Sequence, residues 1–344
     1  MKMPVLVAYC VVLMVWSTTP LAISWSASGW LPAWSAMGRM LIAACIGYPL
    51  LRLLGLKMDF GRVAIRSYVA AALGIWGGMY FAYIAAGWLP SGIMSLLFGL
   101  APLLSGLYAR WWLKSAPLDK LQWLGFALAL GGLAIAVSDS LALPPGSWKG
   151  VVTMLLAVNC FAASGVLVQR ERAGLHPLVQ TEGALLVSLP LYLLAALLVD
   201  GVPQAWPTQR PLGAIVYLGI FGSLIGYLCY YFVLARLSAS TVALATLITP
   251  IFAMSLGAAL NGEIVSSRVL AGALFIVVGL CAYLFGPQWR ARLLVWNRRL
   301  SSSMALLALV TSASGSWRFS KSLLSMVSSI SRKARTTSAA RALG

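Results

Sequence analysis

The chain has 344 residues, of which 61% are apolar and only 9% are charged. An ordinary soluble domain carries about a quarter of its residues charged, so this composition excludes that class. Lys and Arg outnumber Asp and Glu by 25 to 7, which gives a net charge of +18, and ten of the basic residues follow Gly286. The charge therefore indicates basic segments beside a membrane and no nucleic-acid partner.

The chain lacks the patterns typical of a metal site, a cofactor site or a hydrolytic centre. Its five cysteines are scattered through apolar segments without a C-x-x-C pair, and the one histidine, His176, lies in a loop. The sequence contains no H-E-x-x-H, P-loop or G-x-S-x-G pattern. We therefore expect no metal, no cofactor and no enzymatic activity.

Ten apolar segments follow one another along the chain. Runs of about 20 apolar residues are typical of membrane-spanning helices. The first segment follows Lys2 and resembles a signal peptide, but no small-x-small cleavage site follows it, so we interpret it as a retained helix. The predicted spans are residues 4–23, 30–51, 66–86, 90–110, 120–138, 150–169, 178–199, 212–234, 239–260 and 266–285.

The two halves of the chain repeat one pattern. The segment Leu73–Gly77, LGIWG, reappears as Leu218–Gly222, LGIFG. Other matched pairs lie 147 or 148 positions apart: Leu89 and Leu237, Pro102 and Pro250, Gly125 and Gly272, Gly132 and Gly279. Five spans per repeat is an odd number, so the second repeat is inverted relative to the first, as in many secondary transporters. We predict an all-α membrane protein of ten helices in two inverted five-helix repeats.

The repeats set the domain boundaries. Residues 1–138 form the first repeat, 139–149 a linker with a Pro-Pro-Gly turn, and 150–286 the second repeat. Residues 287–344 are basic and rich in serine, and we expect a disordered cytoplasmic tail. The segment Trp289–Leu300 is alternatively a basic amphipathic helix on the membrane surface.

Lys and Arg predict the orientation of the helices. Ten of them fall in the even-numbered loops, whereas the odd-numbered loops hold only Lys149, Arg210 and Arg268. Cytoplasmic loops carry the excess of basic residues. We therefore expect both termini in the cytoplasm and a multi-pass protein of the inner (plasma) membrane.

Several motifs resemble the drug/metabolite transporter superfamily, in its EamA-like branch of ten-helix exporters. Pro250 in an apolar helix, the turn Leu260–Glu263 and Gly272 resemble the end of the family's repeat. Trp16-Ser17 stands where the family usually has Trp-Gly, and Pro32 followed by Arg39 resembles its Pro…Arg pattern. The similarity covers about residues 4–286. The first repeat departs from it, because Lys114-Ser115 stands where the second repeat has the turn with Glu263.

The resemblance implies a secondary transporter that works by alternating access in the lipid bilayer. We expect an exporter of amino acids or related small metabolites, with a cavity built from spans 1, 3, 4, 6, 8 and 9. A flippase for lipids or lipid-linked sugars is an alternative, and a polytopic membrane enzyme is a third that the absence of a catalytic cluster disfavours.

Two charged residues lie a helical turn or more inside predicted spans, where a charge is costly and usually functional or paired. Arg39 lies about 13 Å deep in span 2, at 1.5 Å per residue. It either meets a substrate carboxylate or phosphate, or ties span 2 to neighbouring carbonyl groups. Glu182, near the start of span 7, either titrates in a proton-coupled cycle or reaches the cytoplasmic interface; the latter is the favoured interpretation.

Deep aromatic residues are candidates for the walls of a substrate site. Trp76, Tyr80 and Tyr83 recur at i, i+4 and i+7, on one face of a regular helix. The predicted substrate-binding residues are Trp16, Arg39, Trp76, Tyr80, Tyr83, Tyr227, Tyr230, Tyr231, Thr246 and Thr249. The equivalent helix-kinking prolines Pro102 and Pro250 are expected to face each other across the midplane.

Overall fold

The computed structural model describes residues 3–28, 30–115, 118–140, 146–242, 245–283 and 285–286, with side chains except at 137, 139, 140, 240 and 245–248. The described residues form ten helices: α1 (Met3–Ala27), α2 (Pro32–Leu53), α3 (Arg62–Ala86), α4 (Ser91–Leu113), α5 (Lys120–Ser140), α6 (Ser147–Glu171), α7 (Pro177–Asp200), α8 (Gln209–Leu234), α9 (Ala239–Val242 and Ala245–Asn261) and α10 (Ser267–Tyr283). The tail 287–344 and residues 141–145 of the linker lie outside the described residues.

The ten predicted spans are confirmed to within about one helical turn at each end, which is the usual uncertainty of helix boundaries. Seven of the helices, α1–α4 and α6–α8, are long and apolar enough to cross a membrane, whereas the apolar parts of α5 and α10 are shorter. The ends follow from local chemistry. Pro32 and Pro177 open α2 and α7, and Gly262 follows α9 at φ +63°.

The repeated LGIWG and LGIFG segments have the same unusual backbone. Residues Leu73–Gly78 of α3 and Leu218–Ile225 of α8 are π-helical insertions. Gly74 and Gly77 let α3 approach α6, because a Cβ at these positions would lie 2.7 Å from the Ser164 oxygen and 2.9 Å from the Cys160 sulfur. Insertions of this kind in α-helices often mark functional sites.

The glycine pairs of α5 and α10 give the geometry of the inversion. A Cβ on Gly132 would lie 2.6 Å from the carbonyl oxygen of Gly272, and one on Gly279 would lie 2.5 Å from that of Gly125. Gly125 corresponds to Gly272 in the repeat and Gly132 to Gly279, so a two-fold rotation exchanges the two contacts. The helices therefore cross in opposite directions along a seam of small residues.

Contacts between helix ends define the two faces of the bundle. The basic face carries Arg52, Lys114, Arg170, Arg172 and Arg236. On this face Gln169 Nε2 donates to the Leu237 carbonyl at 2.6 Å. The opposite face is the other end of the bundle, where Trp34 Nε1 donates to the Gly201 carbonyl at 2.7 Å and Trp25 Nε1 donates to Asn261 Oδ1 at 3.0 Å.

Candidate functional site

A narrow cavity lies at mid-depth in the bundle. Its volume is about 60 Å³, room for only a few water molecules, since each needs about 10–15 Å³. Small-molecule sites usually measure about 300–1,000 Å³, so this cavity must widen before it holds a solute. Seven helices contribute to its lining, which consists of Trp16, Thr19, Pro20, Ile23, Arg39, Met79, Ala82, Met94, Ser95, Phe98, Met154, Phe161, Gly222, Tyr227 and Thr249.

Arg39 is the charged side chain in this lining. It is 1% exposed, its Nε donates to Ser223 Oγ at 2.9 Å, and its Nη1 lies 3.8 Å from the Met79 sulfur. No carboxylate pairs with it among the residues that the structure describes. A guanidinium has five N–H groups, and the partners here are neutral: the Ser223 hydroxyl, the Met79 sulfur and the Tyr83 hydroxyl.

The π-helical insertion of α8 makes room for this guanidinium. A Cβ on Gly222 would lie 2.8 Å from Arg39 Nη2, and one on Gly219 would lie 2.7 Å from Ile42 of the same helix, α2. Only glycine at these positions lets α8 lie so close to α2. Ser223, the next residue, then points its hydroxyl at Arg39.

An unpaired, buried guanidinium is a binding group for anions. Burying a charge without a partner costs several kcal/mol or more, and a carboxylate that binds it recovers part of that cost. The planar guanidinium matches a carboxylate or phosphate through two parallel hydrogen bonds. The cavity is therefore suited to a small solute with one acidic group.

Aromatic rings form much of the remaining wall. The Trp16 and Phe161 rings meet edge to face with centroids 5.3 Å apart, and Phe98 lies 5.3 Å from Phe161. Tyr230 packs behind them, 5.6 Å from Trp16 and 5.4 Å from Phe161. Stacked and edge-on aromatic contacts add about 0.5–1.5 kcal/mol each beyond the buried area. Such walls suit an apolar or aromatic solute body.

Four of the predicted substrate-binding residues line the cavity: Trp16, Arg39, Tyr227 and Thr249. Thr249 precedes Pro250, which is buried in α9. Pro102 is buried at the start of the second part of α4, after the chain leaves the helix at Gly99 and Leu100. The prediction that the two prolines face each other stays a prediction, and the side chain of Thr246 lies outside the described residues.

The other predicted aromatic residues lie outside this lining. Trp76 stacks on Tyr80 at 5.6 Å with an interplanar angle of 4°, and the Tyr83 hydroxyl accepts a hydrogen bond from Ser26 Oγ at 3.1 Å. The i, i+4, i+7 spacing assumed a regular helix, whereas the π-helical insertion changes the angular register at Trp76. Tyr230 lies behind the wall, and Tyr231 lines a different pocket.

Sequence reasoning did not select several of the lining residues. Phe98, Phe161, Met79 and Met94 are ordinary apolar residues of membrane helices, and nothing in their spacing separates them from residues that face lipid. Ser223 has a recoverable signal, because it directly follows the repeated LGIFG segment that forms the insertion.

Polar contacts close the opposite face above the cavity. Glu263, in the turn after α9, accepts hydrogen bonds from Ser91 N at 3.1 Å, Ser91 Oγ at 2.7 Å and Gly92 N at 3.1 Å. Asn261 Nδ2 donates to the same carboxylate at 3.1 Å, and the Arg210 guanidinium lies 4.5 Å from the centre of the Trp25 ring. The carboxylate occupies the positive end of the α4 helix dipole, where an anion is favoured.

The basic face, by contrast, opens into a vestibule of about 870 Å³. Lys114, Arg170 and Arg172 lie around it, and Gln180 and Tyr231 form part of its inner wall. Tyr231 lies 6.3 Å from Tyr227, which lines the central cavity. The vestibule and the cavity are thus separated by about one layer of tyrosine rings.

A comparison with known families decides the class of protein. The sequence profile of the EamA-like transporter family matches residues 3–138 and 148–285, almost the whole helical part of the chain. The chain belongs to the EamA-like transporter family. The resemblance to the drug/metabolite transporter superfamily is thereby confirmed, and this EamA-like protein is a multi-pass membrane transporter.

The relatives of this chain include proteins named as a transporter and as an efflux pump. The chain is 25% identical to the uncharacterized inner membrane transporter YedA of Escherichia coli K12, over 77% of this chain and 85% of YedA. It is 32% identical to protein PecM of Dickeya dadantii, over 61% of this chain and 70% of PecM. It is 28% identical to a probable amino-acid metabolite efflux pump of Salmonella typhimurium, over 51% of this chain and 62% of that protein.

A solved crystal structure supports the fold of this EamA-like chain. It superimposes with a TM-score of 0.62 at 19% identity, over 83% of this chain and 99% of the other. At that identity the likeness concerns the fold alone. The first repeat lacks the glutamate of the second repeat, although the backbone at the two positions is alike. Lys114, after α4, has φ 52°, and the equivalent Gly262, after α9, has φ 63°. Only Gly262 is followed by a carboxylate residue.

Proposed function

We propose that this EamA-like transporter exports amino acids or related small metabolites by alternating access. The observation that supports this most directly is the buried guanidinium of Arg39 in the central cavity, which has no carboxylate partner among the described residues. A substrate carboxylate fits this group, and the aromatic walls fit an apolar side chain. Relatives named as amino-acid metabolite efflux pumps point to the same class of substrate.

The proposed orientation assigns the two faces of the bundle to the two sides of the membrane. We infer that the basic face is cytoplasmic, as are both termini, because cytoplasmic loops carry the excess of Lys and Arg. The open vestibule then faces the cytoplasm, and the contacts around Glu263 close the outer side. A solute enters from the vestibule, displaces the tyrosine layer and reaches Arg39, and the outer contacts break in the next step.

The remaining features of the proposal follow from a transporter without a catalytic centre. The partners are the lipid bilayer of the inner membrane and a small-molecule substrate, and the cycle uses no cofactor, metal or nucleic acid. The protein acts on no covalent bond, which distinguishes it from a membrane enzyme.

Exchange in proteoliposomes tests the role of Arg39. Liposomes with the purified chain are loaded with an equimolar mixture of unlabelled L-amino acids, and uptake of each labelled amino acid is measured. Arg39→Gln should lower exchange of the transported amino acids at least tenfold, because a hydrogen bond to a charged group contributes about 1.5–3 kcal/mol. Arg52→Gln, at the exposed end of the same helix, is the matched control and should exchange normally.

Two outcomes contradict the proposal. One is exchange of no amino acid by the wild-type protein in these liposomes. The other is an Arg39→Gln variant that exchanges amino acids at the wild-type rate, since the carboxylate would then bind elsewhere.

A further inference from the structure

Glu182 of α7 is a buried carboxylate that the substrate cavity does not use. Its side chain is fully buried, and neither Oε1 nor Oε2 has a hydrogen-bond partner among the described residues. The sequence favoured a side chain that reaches the interface at the basic face. The structure instead turns it into the bundle, against Gly47 of α2.

The surroundings of this carboxylate fit it closely. A Cβ on Gly47 of α2 would overlap Glu182 Oε1 and would lie 2.7 Å from its carboxyl carbon, so the carboxylate occupies the space that a side chain at position 47 would take. The same Cβ would lie 2.9 Å from Leu224 Cδ1 of α8. The Tyr68 ring of α3 packs against the neighbouring Gly183. The carboxylate is thus enclosed by the backbone of α2 and by apolar atoms.

No neighbouring ionisable group in the described structure compensates a charge at Glu182. Arg52 of α2 and Arg66 of α3 are exposed, and Arg39 of α2 lies about 12 Å along the helix from Gly47, at 1.5 Å per residue. The hydroxyl groups of Tyr68 on α3 and Tyr227 on α8 are buried without hydrogen-bond partners. Tyr231, also on α8, lines the vestibule.

Burial without a partner favours the neutral acid over the carboxylate anion. An isolated carboxylate anion loses its hydration in an apolar environment. The free-energy cost of this loss is far larger than the cost of burying the protonated, neutral acid. The arrangement in this structure, with the opposite face closed, is therefore the arrangement that holds a proton on Glu182. The anion becomes stable only when the helices move and water reaches it.

A route for the proton leads to the basic face. Gln180 precedes Glu182 by two residues on α7 and forms part of the vestibule wall. It closes the way with a pair of hydrogen bonds to Ser67 of α3, from Ser67 Oγ at 2.6 Å and to the Ser67 carbonyl at 3.1 Å. Separation of this pair lets vestibule water enter between α3 and α7. Glu182 points to the other side of α7, towards Gly47 of α2, so the water must also pass between α2 and α7 to reach the carboxyl group.

Helix α2 contacts both Glu182 and the substrate site, and the insertion of α8 lies beside α2 at both levels. On α2, Arg39 lines the cavity and Gly47 packs on Glu182. In the π-helical insertion of α8, Ser223 holds Arg39 and the next residue, Leu224, lies beside Gly47. A shift of α8 against α2 therefore changes the surroundings of the Arg39 guanidinium and of the Glu182 carboxyl group together. Two sites are energetically coupled when both bias the same two-state structural element.

We propose that Glu182 is the proton-binding site that couples solute export to inward proton movement. This inference rests on the proposed function, because it assumes a solute bound at Arg39. Glu182 takes a proton from the outer side when that side is open and keeps it while the outer side closes. It releases the proton only when the Gln180–Ser67 pair separates and vestibule water reaches the carboxyl group. One proton then moves inward for each solute that moves outward.

Transport in proteoliposomes separates coupling from binding. The full-length protein is supplied with the mixture of twenty L-amino acids, and accumulation under an imposed pH gradient is compared with exchange without a gradient. One pH unit supports about tenfold accumulation of a solute exchanged for one proton. Glu182→Gln should lose this gradient-driven accumulation and keep exchange, because glutamine reproduces the neutral acid and Arg39 is intact. Glu171→Gln, at the end of α6, should keep both.

An infrared measurement tests the proton site without any substrate. The wild-type protein at neutral pH should show the carbonyl stretch of a protonated carboxyl group, which Glu182→Gln should remove and Glu171→Gln should leave. Absence of amino-acid exchange in the wild type would contradict the proposed function, and the infrared band would still decide on Glu182. Three results for the Glu182→Gln variant would each overturn the inference. These are gradient-driven accumulation at the wild-type level, loss of exchange, and an infrared band unchanged from that of the wild type.

Discussion

The first turns of α4 and α9 are equivalent in the two repeats, since Ser91 and Ala239 lie 148 positions apart, but different groups hold them. Glu263 accepts three hydrogen bonds from Ser91 and Gly92 on the opposite face. On the basic face, the neutral side chain of Gln169 accepts one from Ala239 N at 3.0 Å and donates to the carbonyls of Leu234 and Leu237. A charged group therefore holds the first turn of α4, and a neutral amide holds the first turn of α9.

The difference explains why the two faces are unequally open. Hydrogen bonds to an ionised acceptor are roughly twice as strong as those between neutral groups, and the α4 dipole adds to the attraction. The face with the carboxylate is closed, whereas the face with the amide contains the vestibule. A pair of inverted repeats with identical closures would populate both open forms equally; the single carboxylate biases the equilibrium.

The largest effect is expected from Glu263→Ala, which removes the stronger closure. The test places one cysteine at Ser95, in the cavity lining, after alanine replaces the five native cysteines, and measures its reaction with a membrane-impermeant thiol reagent. Labelling from the opposite face should rise at least tenfold, because each lost hydrogen bond to the carboxylate contributes about 1.5–3 kcal/mol.

Glu171→Ala is the control for this comparison, because Glu171 ends α6 on the basic face. It should leave labelling from the opposite face unchanged. Equal labelling rates for Glu263→Ala and the parent would mean that the carboxylate does not hold the outer side closed.

Gln169→Leu should have a smaller effect, on the other face. It removes the amide that joins α6 to α8 and α9, and labelling of the Ser95 cysteine from the basic face should rise about three- to tenfold, because neutral hydrogen bonds contribute about 0.5–1.5 kcal/mol each. Gln209→Leu, at the start of α8 on the opposite face, should not change this rate. An effect on labelling from the opposite face instead would reverse the assignment of the two closures.

The sequence predicted the helices and their repetition because both depend on local signals. Apolar length marks each span, and the glycine pairs of α5 and α10 keep their spacing because backbone contact tolerates no side chain there. The π-helical insertions were recognised as a repeated segment, but not as a change of helical pitch. Trp76 and Tyr80 lie at or just after this change of pitch, and neither lines the cavity.

The candidate site was predictable only where a residue is costly in a membrane. Arg39 was selected because a charge in a span needs a reason, and it lines the cavity. Glu182 was noticed for the same reason, but its direction depends on Gly47 and Leu224 of two distant segments, which no local pattern reveals. Phe98 and Phe161 are indistinguishable in sequence from aromatic residues that face lipid.

The smallest effect is expected when a carboxylate is added near the first turn of α9, where Gln169 now makes the contacts. This copies the contact that Glu263 makes at the first turn of α4. Ser115 is the equivalent of Glu263, 148 positions earlier. Each follows a residue in the left-handed backbone conformation, Lys114 before Ser115 and Gly262 before Glu263. Ser115→Glu should therefore bring a carboxylate towards the first turn of α9 and slow labelling of the Ser95 cysteine from the basic face. We expect only about a twofold change, because Gln169 already occupies the Ala239 N–H and an exposed ionic contact contributes about 0.2–1 kcal/mol.

The neutral variant Ser115→Gln has the same length and isolates the charge. If Ser115→Gln slows labelling as much as Ser115→Glu, the closure depends on side-chain size and not on the carboxylate. If Ser115→Glu speeds labelling, the two first turns are not equivalent in the transport cycle, and the asymmetry between the faces has a source other than Glu263. A slower rate for Ser115→Glu alone would show that one carboxylate per repeat sets which face is closed.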